Sequence, residues 1–140
     1  MNKDEELAKY MSLIEQYKEQ MNSLEMQSSY LQAAIAEYNK ARITLEQLSG
    51  TDKETEILLP IGGSTFINAT AKDPSKVIFD IGGGIATEKT SDDAIKNIDK
   101  RINDLQKTQE KLLEAMQNLQ NGATEVSAKA QKLLAEKQNE

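Results

Sequence analysis

Few residues in this 140-residue sequence have the types and spacing to do chemistry, and each of them has a plainer reading. Gly82-Gly83-Gly84 invites comparison with a phosphate-cradling loop. Such a loop needs the Lys-Ser/Thr of a Walker A motif or a GxGxxG spacing, and it needs a helix N-terminus aimed at the phosphate. Here Ile85-Ala86-Thr87-Glu88 follows instead, so the glycines read as a turn. Asp92-Asp93 and Glu5-Glu6 are adjacent carboxylates on predicted helix surfaces. Acid–base work by two carboxylates requires a pocket that drives their pKa values apart. A two-stranded coiled coil offers none, so these pairs read as solvated charge. Lys and Glu combinations such as Glu15, Lys18 and Glu19 read as solvated helix faces with weak support four residues apart.

Composition narrows the chemistry further. There is no Cys, no His and no Trp. Disulfides, thiolate nucleophiles and redox pairs are therefore excluded. A typical zinc site lacks its sulfur and imidazole ligands. Ser-His-Asp and Cys-His catalysis lack their base. The sequence points to no cofactor, no metal and no enzyme. The net charge of −6 argues against nucleic acid as a main partner, because backbone binding is driven by Lys and Arg. No apolar run approaches the roughly 20 residues of a membrane span. The first residues, Met1 to Glu6, lack the basic start and apolar centre of a secretion signal. The expectation is a soluble cytoplasmic protein without membrane contact. At 38% the apolar fraction falls below the ~45–50% of ordinary globular domains, although that reference also counts Gly. Such a chain should be extended, or should need partners to complete its core.

The elements follow from the helix breakers. Residues 1–49 hold no Gly or Pro, 50–91 hold both prolines and most glycines, and 92–140 hold one glycine, Gly122. This predicts a single domain over 1–140 built as helix, β insert and helix. In the first segment Leu7, Ile14, Met21, Ser28, Ile35 and Arg42 recur every seven residues at position a. Tyr10, Tyr17, Leu24, Leu31, Tyr38 and Leu45 occupy position d. In the last segment Ile95, Ile102, Gln109, Met116, Ala123 and Ala130 hold a, and Ile98, Leu105, Leu112, Leu119, Val126 and Leu133 hold d. Sustained 3-4 spacing of this kind specifies a coiled coil. Helices of similar length joined by an insert pair antiparallel, with position i facing roughly position 141 − i. Gly122 reads either as a flexible point or as a tolerated surface glycine, and Thr90 or Ser91 as the cap of the second helix.

The insert reads as β. Residues 56–59, 65–70, 76–81 and 85–88 are short strands, separated by Pro60–Ser64, Lys72–Ser75 and Gly82–Gly84. Two consecutive hairpins result. Four short strands cannot close a core alone and leave backbone groups unpaired at their edges. Residues 56–88 are therefore expected to drive oligomerisation, the alternative being strands folded back on the helix bases. At the far ends of the helices, Met1, Met11, Leu13 and Leu134 are apolar residues left over outside the a/d seam. Exposed apolar surface of this kind suits binding of other proteins.

At this point the residues resemble a known family. Glu56-Ile57-Leu58-Leu59-Pro60-Ile61-Gly62, the stretch Asp73-Pro74-Ser75-Lys76-Val77-Ile78-Phe79-Asp80-Ile81-Gly82-Gly83-Gly84, and Glu88-Lys89 before an acidic helix start are similar to the α-class subunits of prefoldin, particularly the archaeal form. Two hairpins rather than one favour the α class over the β class. One departure is Ala86-Thr87, where the family often has larger side chains. The resemblance implies a mainly α, α+β fold, a long antiparallel two-helix coiled coil with two central β-hairpins at its base. It implies an ATP-independent chaperone in which two α and four β subunits join their hairpins into a β-barrel platform. The arm tips then hold unfolded proteins and pass them to a group II chaperonin. Carried onto this sequence, Ile57, Leu59, Phe66, Ile67, Val77, Phe79 and Ile81 would form the assembly surface. Leu7, Met11, Leu13, Ile14, Leu133 and Leu134 would touch clients. A homo-oligomeric or filament-forming prefoldin-like subunit stays open as an alternative, as does a coiled-coil scaffold without chaperone role.

Overall fold

A computed structural model of the chain describes residues 2–51 and 53–139. Helix α1 spans Lys3–Ser49 and helix α2 spans Ser91–Gln138. Between them lie β1 (Thr55–Gly62), β2 (Thr65–Ala71), β3 (Lys76–Gly82) and β4 (Ile85–Thr90). Both helices start on side-chain caps. The Asn2 Oδ1 accepts from the Glu5 N–H at 2.8 Å, and the Thr90 Oγ1 accepts from the Asp93 N–H at 3.2 Å. Each cap satisfies one of the N–H groups that a helix start leaves without a partner. Acidic residues in both first turns, Asp4 to Glu6 and Asp92-Asp93, suit the positive end of the helix dipole. Of the two cap candidates, Thr90 takes the role. Ser91 instead donates its N–H to the Ser75 carbonyl at 2.8 Å and its hydroxyl to the Pro74 carbonyl at 2.7 Å, and is itself buried.

The chain divides into two compact units, Met1–Ala34 with Leu105–Glu140, and Ile35–Asp104. In the first, the Lys137 ammonium pairs with Asp4, and the Tyr17 ring lies against Gly122. In the second, the Arg42 guanidinium pairs with Asp99 across the helices. In each unit these pairs place the helix segments antiparallel. Asp4 with Lys137 and Arg42 with Asp99 fall on the predicted pairing of i with 141 − i. Every a and d residue named above is buried or half-buried. The most enclosed are on α2, where Ile98, Ile102, Leu112 and Leu133 keep 4–8% of their surface. Ser28 is the buried residue that α1 contributes, its small side chain filling an a position.

Two positions differ from expectation for physical reasons. Arg42 is polar at an a site because it makes a forked cross-helix contact. Its Nε and Nη2 meet the two Asp99 oxygens and its Nη1 meets Glu46. The hydrogen bond to Asp99 is the main cause holding this guanidinium above its ordinary pKa. Gly122 is half-buried, so it is not a surface glycine, and α2 runs through it unbroken. A methyl group placed there would stand 3.0 Å from the Tyr17 hydroxyl oxygen. The glycine lets the tyrosine ring approach the α2 backbone.

The hairpins form two separate two-stranded antiparallel sheets, β1-β2 and β3-β4. Strand β1 extends past Pro60, which pairs with Phe66, before Gly62 pairs with Thr65. The register slip between them leaves Ile61 as an extra, bulged residue, and a bulge is where a strand tolerates proline. Ile81 takes the same place between Asp80 and Gly82 in β3. The turns proper are therefore two residues long. Gly63 and Ser64 have φ of 56° and 59°, and Gly83 and Gly84 have φ of 63° and 77°. Positive φ at both positions suits the twist of a tight hairpin.

Candidate functional site

Pairing register assigns the faces of each hairpin, because directly opposed residues of an antiparallel pair share a face. In the first hairpin one face carries Ile57 and Leu59 of β1 with Ala69 and Ile67 of β2. The other carries Leu58 and Pro60 with Asn68 and Phe66. The first face is apolar from Ile57 to Ile67, and the second mixes Leu58, Pro60 and Phe66 with the polar Glu56, Asn68 and Thr70. Only Thr55, Ile57, Ala69 and Ala71, at its base, are half-buried, and every residue from Leu58 to Asn68 is exposed.

The second hairpin is one-sided. Val77 and Phe79 of β3, with Thr87 and Lys89 of β4, form a half-buried face. Val77, Phe79 and Lys89 line an open groove of about 990 Å³ with Tyr38, Ala41 and Leu45 of α1 and Ala94 and Ile98 of α2. The Lys89 Nζ sits 5.6 Å from the centre of the Phe79 ring, a cation–π distance. The opposite face is polar, with Lys76 paired to Glu88 at 3.8 Å around a single Ile78. The hairpin enters through Asp73-Pro74-Ser75. The Asp73 carboxylate accepts from the Ser75 hydroxyl and, at 3.1 Å, from the Ser75 N–H. Those hydrogen bonds hold the Asp73 carboxyl below the usual range. Pro74 is buried, and its carbonyl takes the Ser91 hydroxyl.

The residues predicted for assembly thus split. Leu59, Phe66, Ile67 and Ile81 are exposed, whereas Ile57, Val77 and Phe79 are half-covered by their own chain. The sequence reading passed over Leu58, Ile61, Ile78 and Ile85, which are also exposed. The unbroken apolar run from Ile57 to Ile61 was the available signal, because a strand apolar at consecutive positions is apolar on both faces. Gly82-Gly83-Gly84 lies in the second hairpin's bulge and turn.

The tip residues also split. Leu7 and Ile14 are half-buried in the seam, and Leu133 is buried there at 7% exposure. Leu13 is also half-buried. Met11 and Leu134 are exposed at 57% and 42%. Met1 lies outside the described residues. Met26, Tyr30, Ile43 and Leu113 are further exposed apolar side chains along the helices, all outside a and d. Among the described residues no cluster of acidic side chains has the arrangement of a metal site, and no helix is long and apolar enough to cross a membrane.

Comparison with known proteins agrees with this architecture. The chain matches the family model for a prefoldin subunit over residues 17–136. It is 34% identical over 119 residues to the prefoldin subunit alpha of Methanobrevibacter smithii, covering 85% of this chain and 81% of the relative. It is 27% identical to the prefoldin subunit alpha of Archaeoglobus fulgidus over the full length of both. Among solved structures, a filamentous prefoldin from Methanocaldococcus jannaschii superposes with a TM-score of 0.58 at 26% identity, covering 89% of this chain and 98% of that one. Two long helices around two hairpins, a family match over most of the sequence and archaeal α subunits as relatives together show that the chain belongs to the prefoldin family, in its α class.

Proposed function

We propose that the chain is a subunit of an ATP-independent holding chaperone. Its hairpins join those of β-class prefoldin subunits, two α with four β. The helix tips capture unfolded polypeptides and hand them to a group II chaperonin in the cytoplasm. The observation that carries the assembly half is the first hairpin, a two-stranded sheet on which Leu58, Leu59, Ile61, Phe66 and Ile67 stand exposed. Met11 and Leu134 support the tip half, as apolar surface that the seam leaves outside. The reading assigns no catalysis to the chain.

The native mass of the chain alone and with a β-class subunit tests assembly. A truncation lacking residues 1–8 and 133–140 tests the tips. It should assemble normally yet lose suppression of client aggregation in light scattering. Unchanged suppression would sink the client role of the tips. No suppression by the intact complex would favour a coiled-coil scaffold.

A second reading has support in the filamentous form of the Methanocaldococcus jannaschii structure. In that reading the chain assembles with copies of itself. Large, length-distributed particles from the chain alone would select it over the six-subunit complex.

A further inference from the structure

We infer that Asn121-Gly122 in α2 is a self-modification site, an asparagine set to close on its own backbone, and that the packing of Tyr17 on Gly122 holds the reaction off. The reaction is succinimide formation. The Gly122 nitrogen attacks the Asn121 side-chain carbonyl carbon and a C–N bond forms. The Gly122 amide proton passes through water to the side-chain nitrogen, which leaves as ammonia. A water molecule then opens the ring at either carbonyl and leaves aspartate or isoaspartate. Asn121 is the only asparagine in the sequence that a glycine follows. Glycine presents no side chain to obstruct the attack, and its backbone bends most freely into it. The inference concerns the helical arm and stands apart from the assembly reading.

Three features oppose the attack. First, α2 runs through both residues unbroken, so the Gly122 N–H belongs to the helix ladder. A helical ψ of about −42° also turns the Gly122 nitrogen away from the Asn121 side chain. Second, the Gln117 Nε2 donates to the Asn121 Oδ1 at 3.0 Å, which draws the amide back along the helix. Third, the Tyr17 ring lies against Gly122, close enough that an added methyl would stand 3.0–3.2 Å from its atoms. The first two are weak by themselves. Asn118, Asn121 and Gly122 are poor helix formers, and Asn121 and its bond to Gln117 are exposed. A turn with so few buried contacts opens locally at small cost. The ring of Tyr17 is therefore what keeps it closed. The two products differ in consequence. Aspartate adds one negative charge and leaves the backbone as it was. Isoaspartate routes the backbone through the side chain, and the added atom breaks the four-residue ladder. The seam residues that α2 supplies beyond this point, Ala123, Val126, Ala130 and Leu133, then lose their register.

The full chain is incubated at mildly alkaline pH, folded and in guanidinium chloride, and conversion of each asparagine is followed by peptide mass spectrometry. Asn118, which shares the opening turn, is the internal reference. In denaturant Asn121 should convert ahead of every other asparagine. In the folded chain it should convert at least about tenfold more slowly. Tyr17→Ala should raise the folded rate at least about threefold and leave the rate in denaturant unchanged. Tyr10→Ala removes a tyrosine from the same d row one heptad away and should leave the folded rate near that of the parent. Helical circular dichroism confirms that each variant folds, and Tyr17→Leu supplies the measurement if Tyr17→Ala does not. Equal rates at Asn121 in the folded and unfolded chain overturn the inference. Equal acceleration by Tyr10→Ala and Tyr17→Ala also overturns it, because general loosening of the seam would then open the turn. Conversion of Asn118 ahead of Asn121 in denaturant removes the site itself.

Discussion

The helical seam and the first hairpin solve the same problem in opposite ways. Both are built from apolar residues at regular spacing, seven-residue in one and continuous in the other. In the seam, every a and d residue is buried or half-buried, and the polar Arg42 meets Asp99. In the hairpin, the two strands pair with each other through six ladder pairs ahead of the bulge, yet eleven consecutive residues from Leu58 to Asn68 stay exposed. Secondary structure and burial are thus separable. Backbone pairing needs one partner strand, whereas hiding an apolar face needs a second layer. The seam has its second layer in the sequence, and the first hairpin does not.

The sharpest way to break this contrast compares two exposed isoleucines. Ile67 is 46% exposed on the first hairpin and Ile78 is 80% exposed on the second. Exposure alone ranks Ile78 as the larger interface residue. Face chemistry ranks Ile67 first. Ile67→Asp should abolish assembly, leaving only unassembled chain by native mass, with helical circular dichroism retained. Ile78→Asp should assemble as the parent does. Reversal of that order would remove the distinction between the hairpins.

Within the seam the corresponding pair is Leu112 and Leu113. Leu112 keeps 8% of its surface and Leu113 keeps 53%. Leu112→Ala should cost about 2–4 kcal/mol in urea unfolding, the transfer and cavity cost of a buried leucine. Leu113→Ala should stay within about 0.5 kcal/mol. Similar losses at both sites would mean that the heptad register is not what buries α2.

A smaller effect concerns Gly122. Ala gains about 1 kcal/mol over Gly inside a helix. Here the added methyl meets Tyr17 at 3.0–3.2 Å, so the ring must shift. Gly122→Ala alone should therefore gain less than in a Tyr17→Leu background. A double-mutant cycle should give a coupling of about 0.5 kcal/mol or more. Strict additivity would show that the glycine has no packing role.

Much of this was legible in the sequence because it depends on local order. The heptads at Leu7 to Leu45 and Ile95 to Leu133 fixed which residues face inward, and the absence of Gly and Pro fixed where α1 could run. Two hairpins followed from turn residues. What escaped the reading depends on contacts between distant residues. Gly122 looks like a weak point until Tyr17 is placed beside it. Thr90 and Ser91 are equivalent caps on paper, and only the buried Pro74 carbonyl separates them. Pro60 and Gly62 read as turn residues, yet the bulge carries the strand through them. The tip list mixed seam residues such as Leu133 with outward ones such as Leu134, because heptad phase alone does not say how wide the buried stripe is.

The smallest effect lies where the second hairpin is tied to α2. Asp73 caps the turn before β3 by accepting from the Ser75 hydroxyl and N–H, and these bonds favour its charged form. Its folded pKa is thereby depressed below the unfolded value of about 3.9. A depressed carboxylate contributes stability that is fully present above the unfolded pKa and is lost as pH falls through the folded one. Asp73→Asn keeps the side-chain oxygen but removes the charge. The variant should be slightly less stable than the parent at pH 7, and the gap should close as the pH drops below about 4. Because Asp73 is exposed, the gap is screened by solvent and should shrink further in salt. Urea unfolding from pH 7 to pH 3 reads this directly. A gap that stays constant over that range would assign the effect of the substitution to shape rather than charge. The tie between hairpin and helix would then rest on the Ser91 contacts alone.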